Sequence, residues 1–149
     1  MNVKTIVNIL SAMLVATGLS MLIPTVISWS FSEPDLSGHL QSMIICIVVG
    51  IPFWLITRKS RALNSKDGFA IVSFAWLIVA FAGSLPFYLS GTIPNFTDAW
   101  FEAMSGVTTT GATIIGNPTT LPNLPNGIES MPHGILFWRS FLQWIGGMG

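Results

Sequence analysis

Six consecutive residues, Thr108-Thr109-Thr110-Gly111-Ala112-Thr113, could do chemistry without carrying a charge. They offer backbone carbonyls and threonine hydroxyls, and uncharged oxygens of that kind can replace the water shell of a metal cation. Gly111 permits backbone angles that aim successive carbonyls along one line. A fixed carboxylate would hold a cation too tightly for it to leave. On these six residues alone an ordinary polar loop fits as well, and only their surroundings single them out. Glu102 and Arg139 are the other two residues of interest. Each sits in an apolar stretch, where an ionisable side chain is costly and marks a structural or functional role. Two arrangements satisfy them. They can pair, with Glu102 and Arg139 bracing the hexapeptide, or each can snorkel outward to water.

The remaining reactive types do not assemble into a site. Cys46 is the one cysteine, so a disulfide within the chain and a cysteine-based metal site are excluded. It reads as a small thiol packed among aliphatics. His39 and His133 fall at the ends of apolar runs and read as interfacial caps. Two histidines without a cysteine or carboxylate at ligand spacing make a poor metal site. No nucleophile–base pair or phosphate loop is present, so we expect neither an enzyme nor a bound cofactor. Asn95-Phe96-Thr97 matches a glycosylation sequon and is discounted, because it opens a segment that dips into the membrane.

The elements around these residues follow from composition. Charged residues make up 8% of the 149 and hydrophobic residues 51%, with mean hydropathy +0.68. Soluble domains carry about 25% charged residues, so lipid is the expected solvent for much of this surface. The net charge of zero gives no argument for nucleic acid or an acidic partner. Three apolar runs are each long enough to cross a bilayer: residues 5–29, 40–57 and 69–89. The first is longer than a secretory signal and lacks a small-x-small cleavage site, so it reads as a retained span. Five basic residues lie at Lys4 or between Arg58 and Lys66, on one side if the first two runs each cross once. That side is expected to be cytoplasmic.

After the third run the pattern changes. Residues 96–106 predict a short helix with Asn95 as N-cap and Asp98 in its first turn. Phe96, Trp100, Ala103 and Val107 fall on one stripe. At about 16 Å it reaches only halfway through the hydrocarbon. The threonine-rich strand 108–113 follows, then a Pro/Asn/Gly-rich loop over 116–132. A last apolar run covers 133–149. Non-helical backbone at membrane depth survives where it is buried or lines a water-filled cavity, so helix and strand together predict a re-entrant hairpin. The last run, at about 24 Å, is shorter than the ~30 Å core. An incomplete inner helix is expected, the alternative being a short tilted helix eased by Gly146, Gly147 and Gly149.

FEAMSGVTTTGAT at 101–113, followed by GILFWRSFLQWIGGMG at 134–149, resembles the Trk/Ktr/HKT superfamily of potassium transporters, in particular its bacterial TrkH/TrkG membrane subunits. The resemblance extends over the whole chain, including an N-terminal helix pair at 1–67 ahead of a first pore unit at 68–149. It implies an all-α integral membrane fold in which four pore units of one polypeptide surround one axis. Each unit gives a filter strand with a single glycine. Gly111 matches that glycine, Thr109, Thr110 and Ala112 flank it, and Thr108 to Thr113 are the implied potassium-binding stretch. The resemblance further implies potassium uptake across a bacterial inner membrane, passive or ion-coupled, by a homodimer with a cytosolic nucleotide-binding subunit of the TrkA type. One unit does not enclose a pore, so three more are expected in the same polypeptide. A structural or accessory membrane subunit, in which the hairpin conducts nothing, is the competing reading.

Overall fold

The computed structural model describes residues 2–58, 64–116, 121 and 124–148. Its described elements are six α-helices and one short 3-10 turn: α1 Val3–Ser20, α2 Leu22–Ser30, α3 Leu36–Thr57, α4 Ser65–Leu89, α5 Phe96–Val107, the turn Gly127–Ser130, and α6 His133–Gly147. There is no strand among the described residues.

The first apolar run, read as one span, forms two helices, α1 and α2. A proline ring clashes with the carbonyl four residues earlier and offers no N–H. Pro24 therefore ends α1 at Ser20 and sits in the first turn of α2. Together α1 and α2 still make one stretch of 28 residues capable of crossing a membrane, as do the 22 residues of α3 and the 25 of α4.

α1 and α3 pack closely because glycines leave room. A Cβ on Gly18 would lie 2.7 Å from Cys46 Cβ, and one on Gly50 would lie 2.5 Å from Val15 Cγ2. Small residues let helix backbones approach in this way, and they seal Cys46 in the interior. Asn8 turns out to be a linker between helices. Its side-chain amide donates to the Trp54 carbonyl at 3.0 Å and to Thr57 Oγ1 at 3.2 Å. Those groups lie in the last turn of α3, where a helix leaves carbonyls unmatched.

α3 and α4 each begin one turn earlier than the apolar pattern predicts, because polar residues open them. Asn64 and Asp67 form a capping box on α4. The Asp67 carboxylate also accepts from the Asn2 N–H at 2.8 Å, pinning the start of α1 to the start of α4. The division expected after residue 67 thus falls inside the first turn of α4.

The core lies where α4, α5 and α6 meet. Phe87, Ala99, Ala103, Ile135, Trp138 and Leu142 are buried there, and the loop residues Leu121, Leu124 and Met131 fold down onto it. Trp138 Nε1 donates to the Gly83 carbonyl at 2.9 Å, joining α6 to α4. Away from this core the long helices present large apolar side chains outward, among them Ile44, Val48, Phe53, Ile56, Phe69 and Val72. On three membrane-length helices such a surface is solvated by lipid tails.

Candidate functional site

The site is built on α5. Asn95 caps it, its side-chain oxygen accepting from the Thr97 N–H at 3.0 Å. The twelve residues of α5 span about 18 Å at 1.5 Å each. Phe96 and Trp100 pack edge-on against Phe81 of α4. Ala99, Ala103 and Val107 are buried. The helix then stops and the backbone turns back on itself. Thr109 and Gly111 adopt the left-handed region, at φ 58° and 73°.

Four successive backbone amides answer the question of where α5's terminal carbonyls go. The N–H of Thr108 donates to Met104, that of Thr109 to Gly106, and those of Thr110 and Gly111 to Ser105, at 2.9, 2.9, 3.0 and 3.4 Å. In a trans peptide the carbonyl points opposite to the amide, and there are no cis bonds here. The carbonyls of residues 107–110 therefore point away from the end of α5. That of Val107 lies against Gly146 of α6, where any Cβ would overlap it. Those of Thr108, Thr109 and Thr110 belong to exposed residues. The Thr108 and Thr110 hydroxyls lie 2.8 Å apart on the same exposed segment.

The rest of the hexapeptide is also exposed, but it is tied to buried side chains. The Ala112 carbonyl accepts from Ser105 Oγ at 2.5 Å. The Thr113 hydroxyl lies 3.0 Å from both oxygens of Glu102 and accepts from the Ile115 N–H at 3.0 Å. Glu102, 1% exposed, also accepts from the Ile114 N–H at 3.3 Å and from Arg139 Nε at 2.6 Å. One carboxylate thus joins α5, the segment after it and α6. Of the two arrangements open in the sequence, Glu102 and Arg139 adopt the paired one.

The structure therefore divides the six residues. All six are exposed; Thr108 to Gly111 are tied through their amides to the end of α5, and Ala112 and Thr113 are anchored on Ser105 and Glu102. Ser105, Gly106 and Gly146 were not singled out as site residues. Gly106 packs on Leu142, whose Cβ would lie 3.2 Å from an added Cβ. With Gly146 it lets α6 lie against α5. Glycines at matching heights on two crossing helices are the signal that could have found this contact.

A second polar centre lies where α2, α3 and α6 meet. His39 is not an interfacial cap, because α3 begins at Leu36 and carries it inside, fully buried. Ser28 Oγ donates to Asp35 Oδ2 at 2.8 Å, and His39 Nε2 approaches the same oxygen at 3.3 Å, an ion-pair distance. Burial by itself would raise the Asp35 pKa. His39 and Ser28 outweigh it and hold the carboxyl below its ordinary value. Asp35 Oδ1 and both ring nitrogens of His39 have no hydrogen-bond partner among the described residues. Just outside, the exposed His133 ring meets Glu33 at 2.6 Å and stacks on Phe31.

Three membrane-length spans, followed by a short capped helix, a non-helical return segment and a closing helix, define a multi-pass membrane protein with a helix–hairpin–helix unit. Residues 37–149 match the TrkH family, described as a cation transport protein, and the chain belongs to that family. It is 35% identical over its full length to the Trk system potassium uptake protein TrkH of Escherichia coli K12 and covers 29% of that protein. It is 34% identical to the Trk system potassium uptake protein TrkG of the same organism, over 88% of this chain and 25% of TrkG. The crystal structure of the potassium transporter TrkH from Vibrio parahaemolyticus superposes with a TM-score of 0.86 at 35% identity, over all of this chain and 30% of that one. The chain thus spans less than a third of the length of these relatives.

Proposed function

We propose that Thr108 to Gly111 form one wall of a potassium pathway and that the chain contributes one quarter of a selectivity filter. The observation that carries this reading is the set of four consecutive amides tied back to α5. Three of the opposing carbonyls, those of Thr108, Thr109 and Thr110, belong to exposed residues. The amides also continue the dipole of α5. Each peptide unit accepts charge from the helix end at its N–H and presents negative charge at its oxygen. A cation meets partial charges of fixed direction and no full charge, so it can bind and leave. Glu102, Arg139 and Ser105 hold the strand's far end.

The relatives' role in potassium uptake supports potassium as the ion. By the same resemblance, three further pore units complete the ring in the intact protein. That protein works as a homodimer in a bacterial inner membrane, beside a cytosolic TrkA-type nucleotide-binding subunit. The basic residues Lys4, Arg58 and Lys66 lie at one end of the helices, which supports a cytoplasmic N-terminus.

Gly111 gives the test. An added Cβ there would meet nothing within 4 Å, yet φ is 73°. Substitution therefore strains the backbone without a clash, by about 1–2 kcal/mol. Gly111→Ala in the full-length protein is expected to lower both potassium-limited growth and the preference for potassium over sodium. Unchanged growth and preference at normal protein level would sink the filter reading.

A further inference from the structure

The N-terminal helix pair meets the pore unit at the start of α6, and the contact is polar where an apolar one would be simpler. Gly134, in the first turn of α6, sits directly on the buried cluster. A Cβ there would overlap Ser28 Oγ and would lie 2.6 Å from Asp35 Oδ2 and 3.1 Å from His39 Nε2. The Gly134 N–H also points to Glu33 Oε2 at 3.4 Å. Two carboxylates, Asp35 and Glu33, thus face the positive end of α6, where a negative charge is favoured.

We propose that Asp35 and Glu33 are positioning residues for the filter: they set the seat of α6, and through it the placement of the Arg139 guanidinium that holds Glu102. This rests on the filter reading above. The path is short and made of stiff parts. Arg139 follows Gly134 by five residues, about 7.5 Å along one helix. Arg139 Nε then reaches Glu102 at 2.6 Å, and Glu102 takes the Thr113 hydroxyl. An apolar plug at Gly134 would allow α6 to slide or turn. Charges aimed at a helix end fix both its height and its rotation. Buried ion pairs add little stability over apolar packing, and their best-attested use is to fix register. The unpartnered Asp35 Oδ1 and His39 Nδ1 agree with a cluster kept for register at some cost in stability.

The experiment uses the full-length protein in potassium-limited cells, with membrane level and the potassium-over-sodium uptake preference measured together. Asp35→Asn is expected to lower the preference roughly tenfold, the scale seen when groups that orient a binding shell are removed. In an Arg139→Lys background it should add little further loss, because both changes act on one linkage. A preference retained at normal protein level, or losses that multiply independently, would overturn the proposal. Should Asp35→Asn fail to accumulate, Glu33→Gln at the rim serves instead, with a severalfold loss expected and a retained preference again overturning it. Gly111→Ala is measured beside them. If it abolishes the preference while both carboxylate variants keep it, only the positioning role fails. If it changes nothing, the filter reading fails and the positioning role with it.

Discussion

Glu102 and Asp35 are both buried carboxylates, each 1% exposed, and they are treated in opposite ways. Glu102 receives a guanidinium, a hydroxyl and a backbone amide, so both oxygens are occupied. Asp35 accepts from Ser28 on one oxygen, with His39 at ion-pair distance from it, and leaves the other without a partner among the described residues. A saturated carboxylate fixes everything it touches, as suits a strand that must present carbonyls in one direction. An under-occupied one contributes less to stability and is better suited to registering two helix groups against each other.

The contrast can be broken at three strengths. The largest effect is expected from Glu102→Ala, which strands Arg139, the Thr113 hydroxyl and the Ile114 amide together. Removing one partner of a buried pair costs about 3–5 kcal/mol, so a large fall in thermal stability in detergent and loss of potassium uptake should follow. A variant of normal stability would show that Glu102 is no hub. Thr113→Val is milder. It keeps the shape, deprives Glu102 of one donor and leaves the Ile115 amide unpaired, costing about 1–3 kcal/mol. Its unfolding midpoint should fall between those of Glu102→Ala and the parent. The smallest effect is acid dependence at Asp35. Its folded-state carboxyl lies below the ordinary value of 3.8, against the push of burial, because His39 and Ser28 stabilise the anion. The stability it adds is present above that ordinary value and is lost as pH falls through the folded one. Thermal unfolding should therefore show a component lost in that acid range, absent from Asp35→Asn. A parent and variant with identical acid profiles would remove Asp35 from the comparison.

Much of the fold could be read from the sequence because its signals are local. Long apolar runs mark α1 to α4, and Asn95 with Asp98 marks the start of α5. Boundaries failed where polar residues do helical work. Asn64 and Asp67 read as a loop because their reciprocal cap is invisible to hydropathy. Asp35 and His39 read as the polar edge of a span, since four residues' spacing on one helix does not reveal a third helix packed over them. Within the hexapeptide, residue type marked the segment but could not divide it. Ala112 is apolar and Thr113 is the same residue type as Thr108, Thr109 and Thr110, and only the positions of Ser105 and Glu102 tether them. Gly134 and Gly146 matter because of what lies against them, across distances in the chain that periodicity does not register.

The Glu102–Arg139 link also constrains how the protein is made. The two residues are 37 apart in the chain, and a growing chain emerges N-terminus first. Glu102 is therefore synthesised before its counter-charge exists. An unpaired acidic side chain at the centre of a membrane helix carries an insertion cost of about 2.5–3.5 kcal/mol. The short α5 has little apolar surface to set against that. At twelve residues it is also too short to span the hydrocarbon alone, so its carboxylate gains its counter-charge only once α6 is made. The hairpin and α6 are thus expected to reach their final arrangement together, and a chain ending before α6 should leave Glu102 unpaired.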